Sequence, residues 1–370
     1  MKKRDLNIDL LKVTVLYLII IGHFINHSGI LNRVSDFSVF GVVIWALKAL
    51  VCISVNVFIF ITGYYSVNIE FKISKFINLI VTVWTLSVFS TVIGYIITKC
   101  LGGTLEIITV IKGFFPLFTN LYWFITAYLV LYLLFRYINK IVSNSSKREL
   151  QFLLLISFIV FSCWCSIWPK SLDTTGGFGI IWFIVLYLTG AYIRVYEINI
   201  LKKRNCMIVI FIIYLIIMIG IKYFSLKISS TILPTFSQKV NAVMFKYNFP
   251  LVYIASVIFF GIFLYGIKIP DKRKMLWIRF FSKNTLGIYL IHENPLIREL
   301  IWGHINLNLI QKNIVVYIFF IIVLCAMVFV ACSLIEQGRK FLFNVCRIDY
   351  LVDKISNYLE RHVSKIQNEE

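Results

Sequence analysis

The chain is short of most of what a soluble protein needs. Asp and Glu supply only 17 of its 370 residues, and charged residues of both signs make up 15%. The tail from 339 to 370 is the one sizeable polar segment. No low-complexity linker, fixed-period repeat or soluble domain interrupts what precedes it. The eight cysteines are scattered, mostly inside apolar runs, and "CWC" at 163–165 has neither a C-x-x-C nor a metal-ligand spacing. That excludes a disulfide framework and a structural zinc from the expectations. No A-x-A-like cleavage site follows the first apolar run, so "MKKRD" and that run are read as a retained helix, not a signal peptide.

What is present is hydrocarbon. The chain is 60% hydrophobic with a mean hydropathy of +0.87, and a soluble domain of this size would have to build its surface from Leu, Ile and Phe. Repeated apolar runs of about 18 residues or more read as transmembrane helices. Hydropathy and polar breaks place ten, near 10–30, 42–65, 76–98, 121–138, 150–168, 178–195, 205–224, 249–267, 280–301 and 314–335. A shorter stretch at 104–118, interrupted by Lys112 and closed by Pro116, reads as interfacial or re-entrant. The expected fold is all-α and polytopic, with a membrane domain over 1–338. A short basic cytoplasmic tail over 339–370 is expected to form an amphipathic helix, its apolar side made by Phe341, Phe343, Val345, Leu351 and Ile355.

The formal charge of +20 fits nucleic-acid binding or membrane orientation, and its distribution decides between them. With the N-terminus in the cytoplasm, 26 of the 37 Lys and Arg residues fall on inner segments and 11 elsewhere. Four of the exceptions, Lys222, Lys227, Lys239 and Lys246, sit in or beside one outer loop around 225–248. The positive-inside bias survives them, so both termini are expected in the cytoplasm, with lipid and not nucleic acid as the surroundings.

Against this background the ionisable residues inside spans stand out, because such residues are rare there and by default mark a functional site. "NIDLLKVTVLYLIIIGHF" (7–24) carries Lys12 and, ten intervening residues later, His23. The rise between them is roughly 16 Å, which puts Lys12 near the inner face and His23 in the outer half. "NTLGIYLIHENPLIREL" (284–300) also runs outward and brings His292 and Glu293 to a similar depth, with Pro295 breaking the helix just beyond. "NLYWF" (120–124), "TTGGFGIIWF" (174–183) and "KYNFP" (246–250) add Tyr122, Trp123, Trp182 and Asn248 at that level. Aromatic faces with amide and carboxylate partners suit sugar rings. The same aromatics also suit the interfacial belt, Lys12 also suits snorkelling, and a membrane histidine also suits a hydrogen bond to a neighbouring helix. His27, one turn beyond His23, reads as solvated or structural. A His23–His27 metal pair lacks any local carboxylate or thiol to complete it, so no metal is expected.

Five motifs in order resemble the acyltransferase 3 family of integral-membrane O-acyltransferases. "IDLLKVTVLYLIIIGH" (8–23) resembles its first-helix signature, and "VNVFIFITGYY" (55–65) its second-helix pattern of Phe, then Ser or Thr, then Gly-Tyr. "LYWFITAYLVLYLL" (121–134), "WFIVLYLTGAYIR" (182–194) and "LGIYLIHENPL" (286–296) resemble the fourth, sixth and ninth helices. The resemblance covers roughly 5–345 and implies a ten-helix protein that moves an acyl group, often acetyl, onto extracytoplasmic carbohydrate. The family usually has arginine where this chain has Lys12, and lysine lacks the bidentate fork for phosphate. The esterase-like domain appended in some relatives is not expected here.

Together these readings imply acyl transfer from cytoplasmic acetyl-CoA, as co-substrate, to a surface or capsular polysaccharide or its lipid-linked precursor, in a bacterial plasma membrane. Lys12, Lys72 and Lys75 are the candidates to hold the CoA phosphates. His23 is the candidate base or, alternatively, an acylated nucleophile, with His292 or Glu293 orienting it or the acceptor. Tyr122, Trp123, Trp182 and Asn248 are the candidate substrate contacts. A flippase or transporter of lipid-linked glycan is the competing class.

Overall fold

The computed structural model describes residues 5–169, 172, 175–267, 269, 275–305 and 313–368, and among these every regular element is helical. Residues 268 and 270–274 of the expected inner segment, and the last two of the tail, lie outside the described residues.

Seven helices are long and apolar enough to cross a membrane. They are α1 (Leu6–His27), α2 (Val39–Ser66), α3 (Ile73–Cys100), α5 (Trp123–Asn144), α6 (Lys147–Ile167), α8 (Arg204–Thr231) and α14 (Ile314–Val345). Between them come α4 (Ile107–Phe114), α7 (Ile180–Tyr196), α9 (Phe236–Met244) and α10 (Pro250–Gly266). Three short helices follow, α11 (Leu276–Lys283), α12 (Thr285–His292) and α13 (Pro295–Trp302), and α15 (Ile348–Asn368) comes last. The chain is a multi-pass membrane protein.

Sequence chemistry sets the helix ends. The Asp5 side chain accepts from the Asn7 N–H to start α1, and Gly29, at φ 74°, supplies the left-handed residue just beyond its end. Ser146 and Glu149 form a reciprocal capping box on α6. Asn313 caps the Val315 and Val316 N–H groups in the first turn of α14. The expected span over 280–301 is not a single helix. It breaks at Asn284 and again at Glu293–Asn294, where Pro295 opens α13 and Asn294 caps it. The α4 segment is only eight residues long, in keeping with a non-spanning stretch. The helix α14 continues through residue 338 to Val345, so the tail helix starts later than the composition shift suggests. That helix, α15, lies against α3 with Val352 and Ser356 buried.

In this bundle α1 is the most buried of the seven spanning helices. Its neighbours include α2, α10, α11, α12, α13 and α14. Beside it, α2 and α7 approach backbone to backbone: Gly63 faces the Tyr187 carbonyl and Gly190 faces the Phe60 carbonyl, leaving no room for a Cβ on either. Small residues at crossing points are how membrane helices gain packing energy where no hydrophobic drive separates them from lipid. The packing centres α1 and brings the broken α12–α13 segment against it.

Candidate active site

His23 lies one turn before the end of α1, and His292 is the last residue of α12. Their side chains meet: His23 Nδ1 is 3.0 Å from His292 Nε2 and 2.8 Å from Glu293 Oε2. The His292 ring is fully buried, with its Nδ1 2.5 Å from the Ile288 carbonyl one turn back on its own helix. A carbonyl only accepts, so His292 Nδ1 carries the proton, and in the neutral ring its Nε2 is an acceptor. His23 Nδ1 therefore faces two acceptors and carries a proton itself. Its N–H aims at the His292 nitrogen. The Glu293 oxygen lies off that line, close enough for charge but without an aligned hydrogen bond. The lone pair of His23 is left on Nε2, the nitrogen free to serve a ligand.

Glu293 is held in turn. Its Oε1 accepts from Arg298 Nη1, on the first turn of α13, at 2.9 Å. Behind the loop, Asn294 donates from Nδ2 to Thr91 Oγ1 at 2.9 Å and to the Tyr122 hydroxyl at 3.3 Å, while its Oδ1 caps Leu296. Asn294 is itself fully buried, so the loop that presents Glu293 is fixed from within.

The pair His23 and Glu293 opens onto a cavity of about 780 Å³. Its lining reaches from Lys75, in the first turn of α3, past Leu79, Tyr128 and Tyr132 to Lys48, Asn241 and Lys246. Because α1 and α3 start at the same end of the bundle, this lining joins the end where α1 begins to the level of His23. Along one wall Trp123 stacks with Tyr247 at 5.8 Å between ring centres and an interplanar angle of 20°. Phe178 closes on both rings at 4.6 and 4.7 Å. His27 lines the same cavity.

The residues singled out in the sequence therefore fall into groups. His23, His292 and Glu293 come together, and Trp123 and Lys75 line the same cavity. Tyr122 is buried behind the Glu293 loop, so its contact is with the protein. Trp182 is buried with its Nε1–H on Asn56 Oδ1 at 3.2 Å, and Asn248 is buried with its amide on the Phe161 carbonyl at 2.9 Å. Both lie outside the cavity lining. Asn56 also donates to the Tyr247 carbonyl at 2.8 Å, so Trp182 and Asn56 brace the cavity's aromatic wall from behind. Lys12 sits with its ammonium 5.6 Å from the centre of the Tyr65 ring. The main chain of Lys72 meets the Tyr132 hydroxyl, and its side chain is exposed.

His23, His292 and Glu293 also offer ligand atoms within 4.8 Å of one another. Two ligands on a tetrahedral zinc stand about 3.3 Å apart, whereas the two edges that meet at His23 Nδ1 are 3.0 and 2.8 Å. Both edges are shorter than two ligands on one zinc would keep. Lys48, Arg298 and Asn294 escaped the reading of the sequence. Lys48 carried a usable signal, since it sits in the apolar run "VIWALKALVC" and the rule that picked His23 applies to it equally.

Comparison with family models gives one decisive match: the acyltransferase domain of the acyltransferase 3 family aligns over residues 5–336. The chain belongs to the acyltransferase 3 family. No curated protein and no solved structure matches it. The matched region of this membrane acyltransferase takes in α1 to α13 and most of α14, and so the whole His23–His292–Glu293 cluster.

Proposed function

We propose that this acyltransferase moves an acetyl or other short acyl group from cytoplasmic acyl-CoA to a hydroxyl of an extracytoplasmic glycan, with His23 as the general base, in a bacterial plasma membrane. The observation that carries the reading is the state of His23. Its Nδ1 is committed to His292 and Glu293, and it stands on the wall of a cavity that reaches from Lys75 to its own level.

His23 Nε2 takes the proton of the acceptor hydroxyl as that oxygen attacks the thioester carbonyl. The imidazolium so formed keeps its Nδ1–H between His292 Nε2 and the Glu293 carboxylate, whose charge stabilises it in a site of low dielectric. On collapse the C–S bond breaks and His23 Nε2 returns the proton to the departing sulfur, leaving an ester on the glycan and free CoA. A positioned base of this kind contributes about 10²–10⁴-fold to the rate. The cavity has room for an extended pantetheine arm beside the aromatic wall, and Lys75 supplies positive charge for phosphate at the far end. Lys12 and Lys72 stand at that same end of the bundle and add to the local field. Transfer of a neutral acyl group needs no metal for this proton balance.

The test is the acyl content of the surface glycan, read by NMR in cells lacking the protein, cells restored with wild type, and cells restored with His23→Ala at matched membrane expression. Acyl signals are expected to vanish in the first and third and return in the second. Unchanged acylation with less glycan at the surface would replace this reading with a glycan transporter.

A further inference from the structure

Three lysines gather at the end of the cavity away from Lys75. Lys222 is buried with its ammonium 3.9 Å from the centre of the Trp45 ring and 3.3 Å from Asp36 Oδ2. Asp36 is occupied further, accepting from Trp45 Nε1 at 2.7 Å and, through its carbonyl, from the Tyr223 hydroxyl. Among the described residues, Lys48 and Lys246 have no such counter-charge: no carboxylate pairs with either, and the charged neighbours of Lys48 are Lys222 and Lys246 themselves. Lys48 rests 5.4 Å from the Trp45 and Phe245 ring centres. Lys246 rests 5.2 Å from that of Phe178, which belongs to the aromatic wall. Both line the cavity that holds His23. Aromatic faces attract an ammonium but do not neutralise it. Two cations confined beside a third in a membrane protein are unfavourable unless something negative joins them.

Their depth says what that is. Val51 packs on Gly22, where a Cβ would lie 3.3 Å from it. Since α2 runs opposite to α1, Lys48, three residues before Val51, stands about 4.5 Å further toward the His23 end. It is therefore at the level of the base. The phosphates of a donor whose thioester lies at His23 are a pantetheine length away, toward Lys75, and do not reach Lys48 in an extended pose. A negative group at Lys48 and Lys246 would then come from the other reactant.

Resting on the acyl-transfer reading above, we propose that the acceptor is an acidic saccharide. Its phosphate or carboxylate is held by Lys48 and Lys246 while a neighbouring sugar ring lies on Trp123, Phe178 and Tyr247 and presents its hydroxyl to His23. This is acceptor selection by charge inside the reaction chamber, where low dielectric strengthens a cation–anion contact relative to water.

The test uses the full chain in proteoliposomes with labelled acetyl-CoA. The acceptor probes are fragments of the producing cell's surface glycan, split by anion exchange into retained and unretained pools. The retained pool takes up label and the unretained pool does not. Lys48→Gln and Lys246→Gln each raise the acceptor KM about tenfold, the range expected for a hydrogen bond to a charged group, and leave the KM for acetyl-CoA as in wild type. Lys48→Arg and Lys246→Arg, which keep the charge, stay close to wild type and show that the fold tolerates change there. Removing phosphate with hydrofluoric acid, or reducing carboxylates after carbodiimide activation, abolishes acceptance in one arm and names the group. Equal labelling of the unretained pool, acceptance that survives both treatments, or a rise in acetyl-CoA KM in the Gln variants overturns the proposal. If wild type labels neither pool and releases no CoA, the acyl-transfer reading itself has failed, and that result is distinct from the others.

Discussion

At the scale of residues, the proposed chemistry turns on which nitrogen of His23 keeps its proton. The 2.5 Å contact between His292 Nδ1 and the Ile288 carbonyl settles the tautomer of His292, and through it that of His23. In the proposed mechanism His292 therefore acts through His23. His292→Ala is expected to lower kcat about 10- to 100-fold with the KM for acyl-CoA unchanged, because it removes an orienting contact and no donor contact. Steady-state kinetics in proteoliposomes separate the two parameters, and a KM effect alone would contradict the assignment. Glu293→Gln keeps the shape but removes the charge beside the imidazolium, so its loss should fall on kcat as well. Arg298→Ala should weaken activity less, since it leaves the His23–Glu293 contact of 2.8 Å in place. The three central residues were legible in the sequence because polar residues at depth are scarce. Trp182 and Asn248 were legible as polar groups at the right level, but depth alone does not say which way a side chain faces. Both turn into the protein, to Asn56 and Phe161.

At the scale of elements, two devices position that cluster. The first is the break between α12 and α13, where Asn294 and Pro295 free the chain to place Glu293 beside His23. Asn294→Ala removes the cap on Leu296 and the ties to Thr91 and Tyr122. A cap of this kind is worth about 1 kcal/mol, so the protein should still fold while kcat falls. The second is the crossing of α2 and α7 at Gly63 and Gly190. A methyl at either position meets a main-chain carbonyl on the partner helix, and a backbone cannot rotate aside as a side chain can. Gly63→Ala and Gly190→Ala are each expected to reduce the detergent-extracted, monodisperse protein severalfold, a destabilisation of about 1–3 kcal/mol typical of overpacking. Size-exclusion profiles and thermal stability would show it, and wild-type behaviour of both variants would refute the close crossing. The glycines stand in "ITGYY" and "LTGAY", motifs whose position was readable and whose reason is this contact.

At the scale of the whole molecule, orientation is the property that assigns chemistry to the two sides of the membrane. In the orientation expected from the charge bias, the starts of α1, α3 and α8 lie on the inner side. Cys100 ends α3, Cys206 lies in the first turn of α8, and Cys346 follows α14, all three exposed. A membrane-impermeant maleimide added to intact cells should therefore label Cys100 in a variant that retains only that cysteine. Variants retaining only Cys206 or only Cys346 should label after permeabilisation. Labelling of Cys346 from outside would invert the scheme and move His23 to the cytoplasmic half.

Amino-acid order by itself determined that the chain lives in a membrane, that it is helical, and that a few ionisable residues lie at depth. Apolar runs and lysine placement are local, one-dimensional properties, and solvent transfer acts on them directly. It also determined the family, because motif types and their order survive without coordinates. Tertiary structure alone decided which of the deep polar residues meet. His23 and His292 stand 269 positions apart, and a single rotation of α1 or a different break near Pro295 would have parted them. It decided as well that Lys48 and Lys246 line the cavity that holds His23 while Lys222 is bound to Asp36. Hydropathy reports how deep a residue sits, whereas the side of a helix that meets a partner depends on packing against the other helices.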